Sequence, residues 1–223
     1  MASPYFRYLP NFEYINRLKE NKNISSYIIV KNLFKRGKLR EDIFQDLTYF
    51  TKYKVIGDDR PDNVAFKVYD NQYLDWLVLL SNNVINFENE WPMEQQSFIN
   101  YLYRKYVTDA NLNAVHHYES SEVKDSSGKI IIPQGLHVPS DYSLTYYDEG
   151  FNTEVTKSGL ANPVTNYEYE VKLDDDKRNI YLLKSKYVSL AIQDMEDGLP
   201  YRRGSSQYIS DGLAVAENIR LYS

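Results

Sequence analysis

Tyr53-Lys54-Val55-Ile56-Gly57-Asp58-Asp59-Arg60-Pro61-Asp62-Asn63-Val64-Ala65 is the stretch on which the fold turns. Tyr53 to Ile56 is aromatic and β-branched and predicts a strand. Gly57-Asp58-Asp59-Arg60 predicts a turn. Pro61 suits the first position of a helix, where its missing N–H has no helical partner to lose. It also pushes Arg60 out of the helical region. Asp59 and Asp62 bring negative charge to the positive end of that helix. Val64, Ala65, Val68 and Tyr69 form a one-sided apolar stripe, which Asp70-Asn71-Gln72 breaks. A second, more buried helix is predicted through Trp76, Leu77, Leu79 and Leu80. It closes near Asn82-Asn83, because asparagine tolerates the left-handed conformation that ends helices.

Upstream, Tyr5, Phe6, Tyr8, Leu9 and Phe12 crowd around Pro4 and Pro10 with no regular period. Such a stretch packs extended, either along its own domain or along a partner. The partner reading is the expectation for Tyr5, Phe6, Tyr8, Leu9 and Phe12. Residues 26–34 predict a strand, and Ile43, Leu47 and Phe50 a short amphipathic helix over 40–50. The first 52 residues carry 10 basic and 5 acidic side chains, while the whole chain has a formal charge of −5. That asymmetry reads either as surface scatter or as an arm lying on an acidic neighbour.

Downstream, Phe98, Tyr101, Leu102 and Tyr106 predict a third helix over 94–107. Residues 115–132 predict a hairpin turning at Ser126-Ser127-Gly128. Residues 140–166 read mostly as loop. Tyr167, Tyr169, Val171 and Leu173 alternate with charged residues, which predicts a strand capped by Asp174-Asp175-Asp176, with 179–183 as its hairpin partner. Val188, Ile192 and Met195 predict a helix over 185–197, stopped by Gly198 and Pro200. The expected organisation is therefore an α+β chain in four parts. They are a basic, aromatic N-terminal part (1–52), a small module (53–139) with a helical insertion (91–107), a loop, strand pair and helix (140–200), and a mobile tail (201–223).

The chain has 223 residues and no cysteine, so disulfides, thiolate metal sites and a cysteine nucleophile are excluded. No apolar run approaches a membrane span, and no signal peptide is visible at Met1-Ala2-Ser3-Pro4-Tyr5. These features predict a soluble protein made in a reducing cytoplasm. The acidic balance argues against a nucleic-acid partner. No phosphate loop, dinucleotide fingerprint, zinc-protease pair or nucleophile elbow is present. His116 and His117 are adjacent, so on a regular strand they face opposite sides and share no metal. Asp58-Asp59 reads as turn and helix-end charge, and Asp174-Asp175-Asp176 as a solvated turn. The expectation is no enzyme, no cofactor and no metal. Tyrosine, at 22 residues, outnumbers phenylalanine at 9. Its apolar ring and polar tip suit surfaces that become partly buried against partners.

Residues 53–83 resemble a LysM module. The family pattern is met by Tyr53-x-Val55, the Gly57-Asp58-Asp59 turn, Val64-Ala65, and Leu79-Leu80-Ser81-Asn82, with Trp76 between. Gly57 sits one residue early, and Pro61 replaces a leucine. The closing strand is missing after Asn82. Its nearest likeness is Ile132-Pro133-Gln134-Gly135-Leu136-His137-Val138-Pro139. Either a helix is inserted and this segment closes the module, or another segment does; the insertion is the expectation. Across roughly residues 1–195, the chain further resembles the LysM-bearing baseplate wedge subunit, the product of gene 53, of T-even-type contractile-tailed bacteriophages. That likeness rests on Tyr5-Phe6, Leu9-Pro10, Val30-Lys31-Asn32-Leu33-Phe34, Arg60-Pro61-Asp62-Asn63-Val64-Ala65, Trp76, Asn82-Asn83, Glu90-Trp91-Pro92, and the Asn166-Tyr167-Glu168-Tyr169-Glu170 and Lys177-Arg178-Asn179-Ile180-Tyr181 runs. It implies a βαα(β) module in a structural protein of the virion tail, assembled in the host cytoplasm. The implied partners are other wedge subunits and neighbouring wedges around the hub. The alternative is a LysM-type glycan, such as peptidoglycan, bound at the Gly57–Pro61 turn and the loop after Tyr69.

Overall fold

A computed structural model describes residues 4–16, 26–204 and 208–215. In chain order its strands are β1 (Asn11–Ile15), β2 (Tyr27–Lys31), β3 (Phe50–Lys54), β4 (Val115–Ser120), β5 (Val123–Lys124), β6 (Ile130–Ile132) and β7 (His137–Val138). They continue with β8 (Leu144–Asp148), β9 (Thr153–Lys157), β10 (Ala161–Thr165), β11 (Asn179–Leu183), β12 (Tyr208–Ser210) and β13 (Leu213–Val215). The longer helices are α1 (Pro61–Tyr69), α2 (Asp75–Ser81), α3 (Gln95–Tyr106), α4 (Asn166–Lys177) and α5 (Val188–Gly198). The chain divides into two compact units. One is Met1–Trp91 with Arg178–Ser223, and the other is Pro92–Lys177.

In the first unit the Pro61 reading holds. Arg60 is extended at φ −86° and ψ 161°, α1 begins at Pro61, and Asp70 ends it in the left-handed conformation at φ 54°. α2 buries Trp76, Leu77, Val78 and Leu80, and Asn83 behind it is left-handed at φ 52°. Strand β3 starts three residues earlier than its sequence pattern, at Phe50. Val55 prolongs the pairing by donating its N–H to the Arg178 carbonyl at 2.8 Å.

The strand beside β3 corrects the expected closure. β3 pairs antiparallel with β11, from Asn179↔Lys54 to Leu183↔Phe50. Residues 130–138 instead supply β6 and β7, which pair with β5 and β4. Residues 179–183, expected as the hairpin partner of 167–173, complete the sheet instead. Residues 53–139 are not one module, since the second unit occupies the chain between α2 and β11. Ile180, Leu182 and Leu183 join Val55, Val64, Ala65, Leu74, Trp76, Leu77, Ala191 and Met195 in one apolar core.

A second sheet of this unit has the order β12-β13-β1-β2, with β1 parallel to β13 and antiparallel to β2. Part of the expected tail is thus strand. Residues 205–207 and 216–223 of that tail lie outside the described residues. The helix expected over 40–50 is shortened to a turn at Glu41–Phe44 and a 3-10 turn at Leu47–Tyr49, because Phe50 already belongs to β3.

The second unit corrects two further readings. Residues 140–166 form strands: β8 and β9 make a hairpin, and β10 pairs with β4. Residues 166–177 are helix, not strand. Thr165 and Glu168 start α4 as a capping box. The Glu168 carboxylate accepts from the Thr165 N–H at 2.8 Å, and the Thr165 hydroxyl accepts from the Glu168 N–H at 3.2 Å. Asp174 lies inside the helix, buried, and accepts from the Met93 N–H at 2.9 Å. The hairpin 115–132 also changes, since β5 rather than β4 partners β6. His116 falls at a register shift, between the pairs Val164↔His117 and Thr165↔Val115. An extra residue in a ladder turns its side chain out of strict alternation. The two neighbouring rings accordingly meet, with Nδ1 atoms 2.8 Å apart, rather than facing opposite sides.

Candidate functional site

The residues singled out at 53–82 are mostly scaffold. Val55, Val64, Ala65 and Trp76 are buried, Pro61 opens α1, and Tyr53 packs partly buried against the same core. Asn82 has the most specific role. Its side-chain carbonyl accepts from the Tyr181 N–H at 2.7 Å, and its amide nitrogen donates to the Tyr181 carbonyl at 2.9 Å and to the Val78 carbonyl at 2.8 Å. A side-chain amide has the donor and acceptor layout of a peptide group. Asn82 thus pairs with β11 as a further strand residue would, and fastens the end of α2 to it.

The Gly57–Asp59 turn is held by its own chain. Gly57 is left-handed at φ 59°. Arg178 donates to the Gly57 carbonyl at 2.7 Å, the Trp91 indole N–H donates to the Asp59 carbonyl at 3.1 Å, and Lys67 pairs with the Asp59 carboxylate at 2.5 Å. Asp58 is an exposed turn residue. A cleft of about 350 Å³ in this unit lies elsewhere, lined by Thr51, Tyr53, Val68, Leu182, Leu183, Lys184 and Ser185.

The N-terminal aromatics separate into two groups. Leu9 is 2% exposed and belongs to the core. Tyr8 packs edge-on to Trp76 at 5.7 Å, and Tyr5 packs on the core while its hydroxyl accepts from the Gly37 N–H at 3.1 Å. Phe12 is half-buried in β1, with its ring edge-on to Tyr14. Phe6 remains outward at 60% exposure. Of the five residues expected on a partner, only Phe6 presents a large free apolar face.

Residues missed by that reading lie on β2 and just after it. Ile29 is 64% exposed, Leu33 69% and Phe34 91%, with Tyr27 and Ile28 also exposed. β2 is the edge of its sheet among the described residues. The segment behind it is fastened down: Lys31 donates to the Leu9 carbonyl and Lys35 to the Leu199 carbonyl, both at 2.8 Å. Apolar side chains are therefore displayed on held backbone. The sequence carried a signal for this, since Ile28-Ile29-Val30 has no polar alternation and an edge strand cannot bury both faces.

In the second unit a buried carboxylate joins two helices. Glu170 of α4 accepts from Lys105 at 2.6 Å, Tyr106 at 2.9 Å and Tyr101 at 3.2 Å, all of α3. Burial alone pushes the Glu170 carboxyl up, but the donors of Lys105, Tyr106 and Tyr101 outweigh it and hold the group below the usual range. Lys105 is held charged by the same carboxylate. These groups point at one another, so their arrangement is a brace. No helix among the described residues is long and apolar enough to cross a membrane.

The family model described as "Base plate wedge protein 53" matches residues 5–196. No curated protein matches the chain. The family match covers well over half of the 223 residues, and the chain belongs to that family. It is a structural wedge protein of the phage baseplate, a part of the virion tail.

Proposed function

We propose, from that membership, that this chain clamps the wedge core of a contractile tail and helps neighbouring wedges join around the hub. The observation that carries the reading is the apolar display of Ile29, Leu33 and Phe34 on a segment fastened by Lys31 and Lys35, with Phe6 exposed as well. Isolated exposed apolar residues are ordinary, but several on one edge strand and its flank suit a surface covered by other subunits. Burying such side chains fully contributes roughly 1.5–3 kcal/mol each relative to exposure. Strand β3, helices α1 and α2 and strand β11 form a β-α-α-β order consistent with a LysM-like module, here serving as the rigid base. The glycan alternative has less support, because its expected turn is engaged by Arg178, Trp91 and Lys67.

Mixing the purified chain with the other wedge subunits and measuring native mass tests the reading. Stable co-complexes are expected. A chain that remains monomeric with every tail component overturns it. Saturable cosedimentation with purified peptidoglycan supports the glycan alternative instead.

A further inference from the structure

All three histidines of the chain lie in the second unit and touch in sequence: His116 meets His117, and the His117 ring stacks on the His137 ring at 4.1 Å. His117 and Glu119 are two apart on β4 and share a face by the strand period. His137 is the direct cross-strand partner of Glu119 in the β4–β7 ladder. One nitrogen of His117, one oxygen of Glu119 and one nitrogen of His137 all lie within 4.8 Å of one another. We propose that His117, Glu119 and His137 form a binding site for a divalent first-row transition metal, with Zn²⁺ as its test ion.

Three features suit that chemistry. Two imidazoles and one carboxylate are a donor set suited to zinc, cobalt and nickel rather than to calcium or magnesium. Ligand atoms each about 2.0 Å from a tetrahedral ion stand about 3.3 Å apart. His117 Nε2 and Glu119 Oε1 are already at 3.3 Å, and the exposed His137 ring, stacked parallel to His117 without the ion, turns out of that stack to bring a nitrogen to the metal. The ligand His117 is also oriented from behind. Its Nδ1 shares a hydrogen bond with His116 Nδ1, and His116 stacks on Tyr169 at 3.9 Å, leaving Nε2 for the metal. Water supplies the fourth ligand.

The site has a built-in competitor. Lys172 Nζ sits 2.8 Å from the same Glu119 oxygen, and its side chain is 58% exposed. A divalent ion displaces that ammonium from the carboxylate. The metal then fastens β7 to β4, where the ladder is only the two pairs Tyr118↔Val138 and Glu119↔His137.

The test uses the untagged full chain, stripped with chelator and titrated calorimetrically with Zn²⁺, with Co²⁺ absorption as a report on geometry. The expected result is one ion per chain with a dissociation constant tighter than about 10 µM, and tetrahedral cobalt bands. His117→Gln and His137→Ala are each expected to weaken binding at least about tenfold. Lys172→Met is expected to tighten it by up to about fivefold, the worth of an exposed ion pair. His137 is exposed, so its variant folds and keeps the test open if the His117 variant does not. Absence of binding, or an affinity unchanged by His137→Ala, overturns the proposal.

Discussion

Replacing Asn82 with alanine tests how the first unit is closed. Asn82 makes three hydrogen bonds of 2.7–2.9 Å, two of them to the backbone of Tyr181 in β11. A neutral hydrogen bond contributes about 0.5–1.5 kcal/mol net. Asn82 and Tyr181 are only partly buried, so water re-solvates part of what is lost. The expected destabilisation is therefore about 2 kcal/mol. Asn82→Asp is more informative still. It keeps an acceptor for the Tyr181 N–H but replaces the donor with an oxygen facing the Tyr181 carbonyl, so at neutral pH it is expected to cost at least as much as alanine. Protonating that aspartate restores a donor, and the gap to wild type narrows as pH falls through the carboxylate range. Both tryptophans, Trp76 and Trp91, are buried in this unit, so tryptophan fluorescence during urea unfolding reads it specifically. A loss below about 0.5 kcal/mol for Asn82→Ala refutes the clamp between α2 and β11.

Gly37 is buried, and a Cβ there would overlap the thioether of Met195, which is itself buried and has little room to move, so Gly37→Ala is expected to lower the thermal midpoint through about 1–3 kcal/mol of overpacking. Glu170→Gln is expected to loosen α3 against α4 by about 1–2 kcal/mol, read by hydrogen exchange at 95–106 and 166–177. Because the folded Glu170 is held below its ordinary value of 4.5, its contribution is present above that value and lost as pH falls through the folded one. The variant and wild type are therefore expected to converge in acid, and a constant difference down to low pH would contradict the assignment. Thr165→Ala removes the capping hydroxyl of α4 and is expected to cost about 1 kcal/mol, seen as faster exchange in its first turn.

Legibility of the sequence followed the range of the interactions. Pro61, Asp70 and Asn83 act on the backbone dihedrals next to them, and the helices they delimit were readable. The partner of β3 was not, because the strand lies at 179–183, beyond an entire second unit. Apolar alternation misled at 167–173. Tyr167, Val171 and Leu173 are exposed on α4, and the buried members of its face are Glu170 and Asp174, which hydropathy scores as outside. The Thr165-x-x-Glu168 box was the available counter-signal. The tyrosine excess was read as contact surface for partners. Seven of the 22 rim the chain's own core: Tyr5, Tyr8, Tyr49, Tyr53, Tyr69, Tyr181 and Tyr187 pack against it. Tyr69 shows why: its ring is inside while its hydroxyl donates to the Leu183 carbonyl at 2.8 Å. The missed contact candidates are aliphatic and phenylalanine side chains on and beside β2.

The central claim is that this apolar display is covered in the assembled wedge. Its direct measurement is hydrogen exchange and native mass of the chain alone and with the other wedge subunits, for wild type and an Ile29→Ser, Phe34→Ser double variant. Co-complex formation with protection gained over residues 27–34 in wild type, and a weakened complex from a folded double variant, is the predicted result. A wild-type complex that leaves 27–34 as exchangeable as in the free chain, with the double variant assembling equally well, would contradict the account.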